Sequence, residues 1–465
     1  MPYDIDTVFK HVDDTLDDSL ERLKTLLRIP SVSTDPAFDA DVLRCAECAG
    51  DMLRELDMDV VVHETIGHPI VIARDEGPGT DDAPTFLFYG HYDVQPPDPI
   101  ELWDSDPFDP QVVEGEHGRR IVARGADDDK GQFMTFVEAF RAWKAVIGPL
   151  PVKVIVLLEG EEESGSRGLD PFLTEHRQDL QADACIICDT GMWNRDTPAI
   201  TTMLRGIVGL EAVLHGPEHD LHSGMYGGAV LNPINALTRI VGELHDADGR
   251  IQVDGFYDDV LEPAEIEQWN SLGFDEAAFL ASGGCAVSVG ESGRSILERT
   301  WSRPTCDANG IYGGYQGAGG KTVIASKAGV KLTCRLVPDQ DAATIRANLE
   351  QFFLDRTPPG GRWEFMGEGA FPAIRVATDS PWLTAARKGL ERAWGNPAVL
   401  TGCGGSIPVV GSFKSILGID SLLVGFGLDD DRVHSPNEKY DIRSFHTGIK
   451  SHIAILEELA MAAAG

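Results

Sequence analysis

Two hydrophobic periods alternate along the first two hundred residues. Apolar positions from Leu16 to Leu27 recur every three to four residues and predict a helix, which Pro30-Ser31-Val32-Ser33 ends. A second amphipathic helix is expected from about Ala40 to Leu56. Short β-branched runs follow at Val60-Val61-Val62 and Ile70-Val71-Ile72. Thr85-Phe86-Leu87-Phe88-Tyr89-Gly90 and Val152-Lys153-Val154-Ile155-Val156-Leu157-Leu158 are nearly unbroken apolar runs, the pattern of strands buried on both faces. Gln132 to Val146 reads as a helix between them, and Ala184-Cys185-Ile186-Ile187-Cys188 as another buried strand. Such alternation predicts an open α/β sheet up to about residue 205.

From Gly206 the texture changes. A strand is expected from Val208 to Leu214, a helix from Asn232 to Leu244, a less regular stretch, a strand from Val330 to Leu336 and a helix from Ala342 to Phe353. This is the pattern of an inserted α+β domain. The first texture returns near Ser380, with helix Trp382 to Trp394, strand Ser421 to Phe426 and helix Ile442 to Leu459. The expected division is therefore 1–205, 206–379 and 380–465, with hinges near Arg205-Gly206 and Asp379.

At 465 residues the chain is too long for one compact core. Its formal charge of −36 argues against nucleic acid and anionic membranes as partners. The acidic amino terminus has no signal-peptide pattern, and no apolar run approaches a membrane span, so a cytoplasmic protein is expected. Cys45-Ala46-Glu47-Cys48 and Cys185-Ile186-Ile187-Cys188 have metal-ligand spacing. The second pair lies in a strand, where residues three apart face opposite ways. Free buried thiols are the expected reading of the cysteines.

The chemistry gathers at strand ends. Glu159-Gly160-Glu161-Glu162-Glu163-Ser164-Gly165-Ser166 follows one buried strand directly. Crowded carboxylates there repel one another and lose hydration, which a divalent cation would offset; a solvated acidic turn is the plain alternative. His91-Tyr92-Asp93 ends another strand, and residues two apart in extended chain share a side, so Asp93 can support His91 as a metal ligand. Asp189 ends a third strand. Asp127-Asp128-Asp129 precedes a helix, where one or two acids are explained by the helix dipole and capping, and a third less easily. In open α/β sheets ligands bind beyond the carboxyl ends of the strands.

In register, His91-Tyr92-Asp93-Val94-Gln95-Pro96, Gly125-Ala126-Asp127-Asp128-Asp129-Lys130-Gly131, the Glu159 to Ser166 stretch, Asp189 and His434-Ser435-Pro436-Asn437-Glu438 resemble the co-catalytic zinc peptidases and deacylases. That family includes carnosine dipeptidases, acetylornithine deacetylase and succinyl-diaminopimelate desuccinylase. The resemblance covers nearly the whole chain, and Val94-Gln95-Pro96 looks like the dipeptidase branch. It implies a mixed-sheet α/β catalytic domain with an inserted lid and dimerisation domain, and two Zn2+ per chain, with Mn2+ or Co2+ as substitutes. Asp128 would bridge the metals, His91 and Asp189 would complete one and Glu163 and His434 the other. Glu162 would be the general base and Asp93 would orient His91. His222 would reach a neighbouring subunit's site in a homodimer. Thr322, Arg335, Gly405 and Ser406 resemble substrate-binding positions. Cys403 departs from the pattern, because relatives often carry an acid just before Gly-Gly-Ser; substrate inference does not carry over there.

The implied function is a dipeptidase acting on short peptides with a free carboxyl terminus. An N-acyl amino-acid deacylase using the same groups is the alternative. A serine hydrolase is disfavoured because Gly404-Gly405-Ser406 lacks the G-x-S-x-G elbow. Retention of Glu162 beside a full ligand set argues against a metal-storage protein, which needs no base.

Overall fold

The computed structural model describes residues 3–80, 82–367 and 369–463. The chain is mixed α/β and divides into two compact units: Met1–Thr202 with Val376–Thr401 and Ser412–Gly465, and Met203–Arg375 with Gly402–Gly411.

The first unit is built on a mixed sheet. Its strands lie in the order Asp59–His63, Ile70–Asp75, Lys153–Glu159, Thr85–His91, Ala184–Ile187, Ser421–Leu423 and Ala199–Leu204. The four strands from Lys153–Glu159 to Ser421–Leu423 run parallel, with antiparallel neighbours on either side. This explains the unbroken apolar runs: every residue from Phe86 to His91 is buried. Helix Lys130–Val146 packs on Thr85–His91, where the Phe88 ring meets Phe136 and Phe140 at 5.4 and 5.0 Å between centroids. The long helix Ile442–Ala463 packs against Lys130–Val146 and against Pro381–Trp394. Lys130 is fully buried, yet its Nζ donates to Leu26 O at 3.1 Å and Ile29 O at 2.8 Å. A cation thus sits at the carboxyl end of helix Leu16–Leu27, where the helix dipole favours it.

Cys185 and Cys188 point apart as the strand geometry requires. The Cys188 thiol meets Thr135 Oγ1 and the Gln132 carbonyl, while Cys185 faces Ser421. None of the eight cysteines is in a disulfide.

The second unit has an antiparallel sheet in the order Thr305–Gly313, Lys327–Leu336, Gly206–His215, Arg362–Met366. Helices Pro233–Gly242 and Ala342–Asp355 pack on it. Val208, Leu210, Ala212 and Leu214 turn every second side chain into that core with Leu237, Leu349 and Phe353. Asn232 caps the first of these helices, accepting from the Ile234 and Asn235 amides ahead of Pro233. The irregular stretch holds the short helices Ile266–Ser271, Glu276–Ser282 and Ile296–Trp301, too brief to show a period. No helix among the described residues is long and apolar enough to cross a membrane.

Candidate metal centre

His91, Asp128, Glu163, Asp189 and His434 all belong to the first unit. His91 is the last residue of its strand, Asp189 lies two residues beyond Ala184–Ile187, and Glu163 lies in the turn Glu162–Ser164 after Lys153–Glu159. Adjacent parallel strands therefore present these side chains at the same edge of the sheet. Two donor groups form, His91 with Asp128 and Asp189, and Asp128 with Glu163 and His434; within each, the donor atoms lie within 4.8 Å of one another. Asp128 belongs to both. Its Oδ1 is 3.0 Å from His91 Nε2, and its Oδ2 is 2.9 Å from His434 Nε2. His434 Nε2 is also 3.1 Å from Glu163 Oε1.

The surrounding contacts orient these donors. His91 Nδ1 lies 3.1 Å from the Asp93 carbonyl and 3.3 Å from Asp93 Oδ1. Asp93 carboxylate oxygens also accept from Ser33 Oγ at 2.6 Å and from the Glu162 and Glu163 amides at 3.3 and 3.1 Å. One buried carboxylate thus ties the imidazole to the turn carrying both glutamates. Gln95 Nε2 donates to Glu163 Oε2 at 2.8 Å. Within the acidic run, Glu161 turns away to Arg167 Nε at 3.1 Å and the Gly168 amide at 3.0 Å. Asp129 does not cap its helix; its Oδ2 accepts from the His91 amide at 3.0 Å. That corrects the capping role expected from its position: the helix start faces the end of strand Thr85–His91, whose amide needs the acceptor more.

The electrostatics show how strongly the site calls for positive charge. Desolvation, with like charge from Glu163, pushes Glu162 up to about 8, against the pull of His91. Desolvation also raises Asp189 well above the usual carboxylate range, with Asp128, Glu162 and Glu163 contributing. Hydrogen bonds to Asp128 and then Glu163 push His434 up to about 10. Against the cost of desolvation, the field of these acids holds the His91 and His434 imidazoles towards their charged form, the positive charge that bound cations would otherwise supply. Glu163 Oε1 is buried, with the His434 ring nitrogen 3.1 Å away as a polar neighbour. Imidazole nitrogens and carboxylate oxygens gathered in two groups around one shared carboxylate fit a divalent cation that accepts nitrogen and oxygen ligands, as zinc does.

In the second unit, His222 and Thr322 come together. Strand Leu221–His222 pairs with Val323–Ile324, and the Ser223 amide donates to the Thr322 carbonyl at 3.1 Å. His222 is exposed, and its Nδ1 accepts from the Gly224 amide at 3.0 Å. In the neutral ring this leaves the proton on Nε2, as a donor. Arg335 Nη1 donates to Ser406 Oγ at 3.1 Å, and that hydroxyl donates to the Arg205 carbonyl at 2.6 Å. Arg205 holds the loop from the other side, through Gly404 O at 3.1 Å and the Cys403 carbonyl at 3.3 Å from its amide. Residues 402–411, with Gly405, belong to the second unit. The Cys403 thiol accepts from the Gly405 amide at 3.3 Å.

Ser33, Gln95 and Arg205 take no role at the site from the sequence alone: there Ser33 belongs to a helix end, Arg205 to a hinge, and Gln95 only to the Val94-Gln95-Pro96 motif.

Histidine and carboxylate donors shared around one aspartate, with an unligated glutamate beside them, are the equipment of a metal-dependent hydrolase. The chain belongs to peptidase family M20/M25/M40, whose sequence model matches residues 87–458. It is 32% identical over 456 residues to the Cys-Gly metallodipeptidase DUG1 of Candida albicans, covering 93% of this chain and 92% of that protein. The structure of human carnosine dipeptidase 1 superposes with a TM-score of 0.80 at 27% identity, covering 99% of this chain and 100% of that one. An M20 family metallo-carboxypeptidase from Sulfolobus solfataricus, Sso-CP2, gives 0.81 at 30% identity, over 95% and 99%. Both share the mixed α/β architecture found here.

Proposed function

We propose that the protein is a dizinc dipeptidase cleaving dipeptides or short peptides with a free carboxyl terminus. The observation that carries this reading is the shared carboxylate: Asp128 offers one oxygen to the His91 group and the other to the His434 group. His91, Asp128 and Asp189 would hold one Zn2+, and Asp128, Glu163 and His434 the second, with Mn2+ or Co2+ as possible substitutes. Bound there, the cations would supply Lewis acidity to the scissile carbonyl and to water.

The chain's own groups supply the rest. Glu162, desolvated but not needed as a ligand, takes the proton of the attacking water and delivers it to the leaving amine. Asp93 keeps the His91 ring in register. His222 presents its Nε2 proton to the developing oxyanion, a contribution of about 3–4 kcal/mol for one such donor. Arg335, held by Ser406, offers a planar fork to the substrate carboxylate, with Thr322 and Gly405 beside the peptide. The inserted domain serves as lid and as the surface of a homodimer. Supporting that surface, Thr305–Gly313 is an edge strand whose Ile311 is 54% exposed. Eight cysteines, none in a disulfide, suit the reducing cytoplasm.

The names of the relatives guide the test. A panel containing Cys-Gly, β-Ala-His and other dipeptides should be hydrolysed well above N-acetyl and N-succinyl amino acids. The reverse preference would make the protein a deacylase.

A further inference from the structure

Strands Gly118–Val122 and Lys439–Asp441 pair antiparallel, with Lys439 opposite Val122. The first runs on into the loop that carries Asp128; the second is entered from the loop that carries His434. Glu438 sits where the two loops meet and is completely buried. Its Oε1 accepts from the Asp127 amide at 3.0 Å and the Asp128 amide at 3.1 Å. Its Oε2 accepts from the Gly125 amide at 3.0 Å and from Arg124 Nη1 at 2.6 Å. The Glu438 carbonyl accepts from the Ala123 amide at 3.1 Å. Arg124 is buried as well, and its Nη2 reaches the Pro96 carbonyl at 3.3 Å, three residues beyond Asp93.

A plain structural ion pair would need only the guanidinium and the carboxylate. Here three of the four bonds go to backbone amides, and the last of them is the amide of Asp128 itself. On the other side, His434 lies four residues before Glu438 with φ +60°. That left-handed conformation is disfavoured for a residue with a side chain and persists only where the surroundings enforce it. All four donors lack acceptor capacity, so the position calls for an acceptor-only group, an ionised carboxylate.

We propose that Glu438, balanced by Arg124, is a positioning residue that locks the Asp128 loop and the His434 loop into one frame for metal capture. The inference rests on the metal-site reading above. Glu438→Gln keeps the size of the side chain but turns an amide NH2 towards donors. Arg124→Met/Glu438→Gln also removes the cation that the single change leaves unbalanced.

Metal-stripped proteins are titrated with Zn2+ against a competing chromophoric chelator, and the thermal midpoints of the stripped proteins are measured alongside. Both variants should bind Zn2+ about 10–100-fold more weakly than wild type. The double variant should regain thermal stability relative to the single one without regaining affinity. Co2+-loaded Glu438→Gln should show a visible absorption shifted from wild type, because the ligand geometry has changed. Wild-type affinity in either folded variant, affinity that recovers in step with the midpoint, or an unchanged Co2+ spectrum would overturn the proposal. Failure of the wild-type protein itself to bind Zn2+ would instead overturn the metal-site reading.

Discussion

Glu162 and Glu163 are adjacent in sequence yet differ in what they touch. Glu163 meets His434 and Gln95, while Glu162 keeps its carboxyl free of both. In the proposed mechanism the first binds metal and the second moves protons. Glu162→Gln should therefore retain bound metal and lose turnover by about 10²–10⁴-fold. Metal analysis beside initial rates checks this, and metal loss with turnover retained would exchange the two roles. Proton balance offers a second test. Without metal, the raised Glu162, Asp189 and His434 hold more protons in the folded chain than unfolded groups would. The sign follows: a folded state that binds extra protons loses stability as pH rises from the unfolded carboxylate range, about 4.5, through the folded values, about 8 and about 10. Chelated protein should thus melt at lower temperature at pH 8 than at pH 6, whereas metal-loaded protein should show much less of this slope. Adding Zn2+ at pH 7 should release protons, readable by calorimetry in buffers of different ionisation enthalpy. No proton release would count against cation binding at these groups.

At the scale of elements, the site depends on how closely helix Lys130–Val146 approaches strand Thr85–His91. Gly90 permits that approach: a Cβ there would stand 2.5 Å from Phe133 Cβ and 2.8 Å from Asp129 Oδ2. The same contact lets Asp129 reach the His91 amide. Gly90→Ala should force the two elements apart, costing about 1–3 kcal/mol as overpacking usually does. It should also weaken metal binding, because His91 and Asp128 sit on the two sides of the displaced contact. Thermal unfolding and a metal titration of the variant read both effects. Wild-type metal affinity despite a lowered melting temperature would show that the spacing matters only to stability. The buried, parallel strands were legible from their apolar runs. The hairpin of Gln111–Gly115 and Gly118–Val122 was not, because its charged, half-exposed residues show no clean alternation. Ser421–Leu423 is shorter than its apolar run suggested, since the chain leaves the sheet after Leu423 towards the His434 loop.

For the whole molecule, the test concerns the proposed sharing of sites between subunits. His222→Ala and Glu162→Gln should each be nearly inactive alone. Mixed and reassociated, they should recover up to about a quarter of wild-type activity, since about half the dimers are mixed and each has one of two sites complete. Verified heterodimers without recovery would place His222 in its own chain's chemistry, or outside it.

The sequence by itself determined the chemistry and the strand ends that bear it. Residue type limits what a side chain can do, and an apolar run ending on a histidine or carboxylate is visible along one dimension. His91, Glu163 and Asp189 were readable in this way, and family register added Asp128 and His434. What only the tertiary structure decided was which neighbours act together. Asp93 joining His91 to the Glu162 and Glu163 amides links residues about seventy positions apart. Ser33 reaches Asp93 across 60 positions, while Arg205 gripping residues 403–406 and Glu438 closing over the Gly125 to Asp128 amides span far larger gaps. Such contacts depend on where backbone amides point after folding. No spacing rule records that direction, because it arises from packing between segments the chain brings together only once folded.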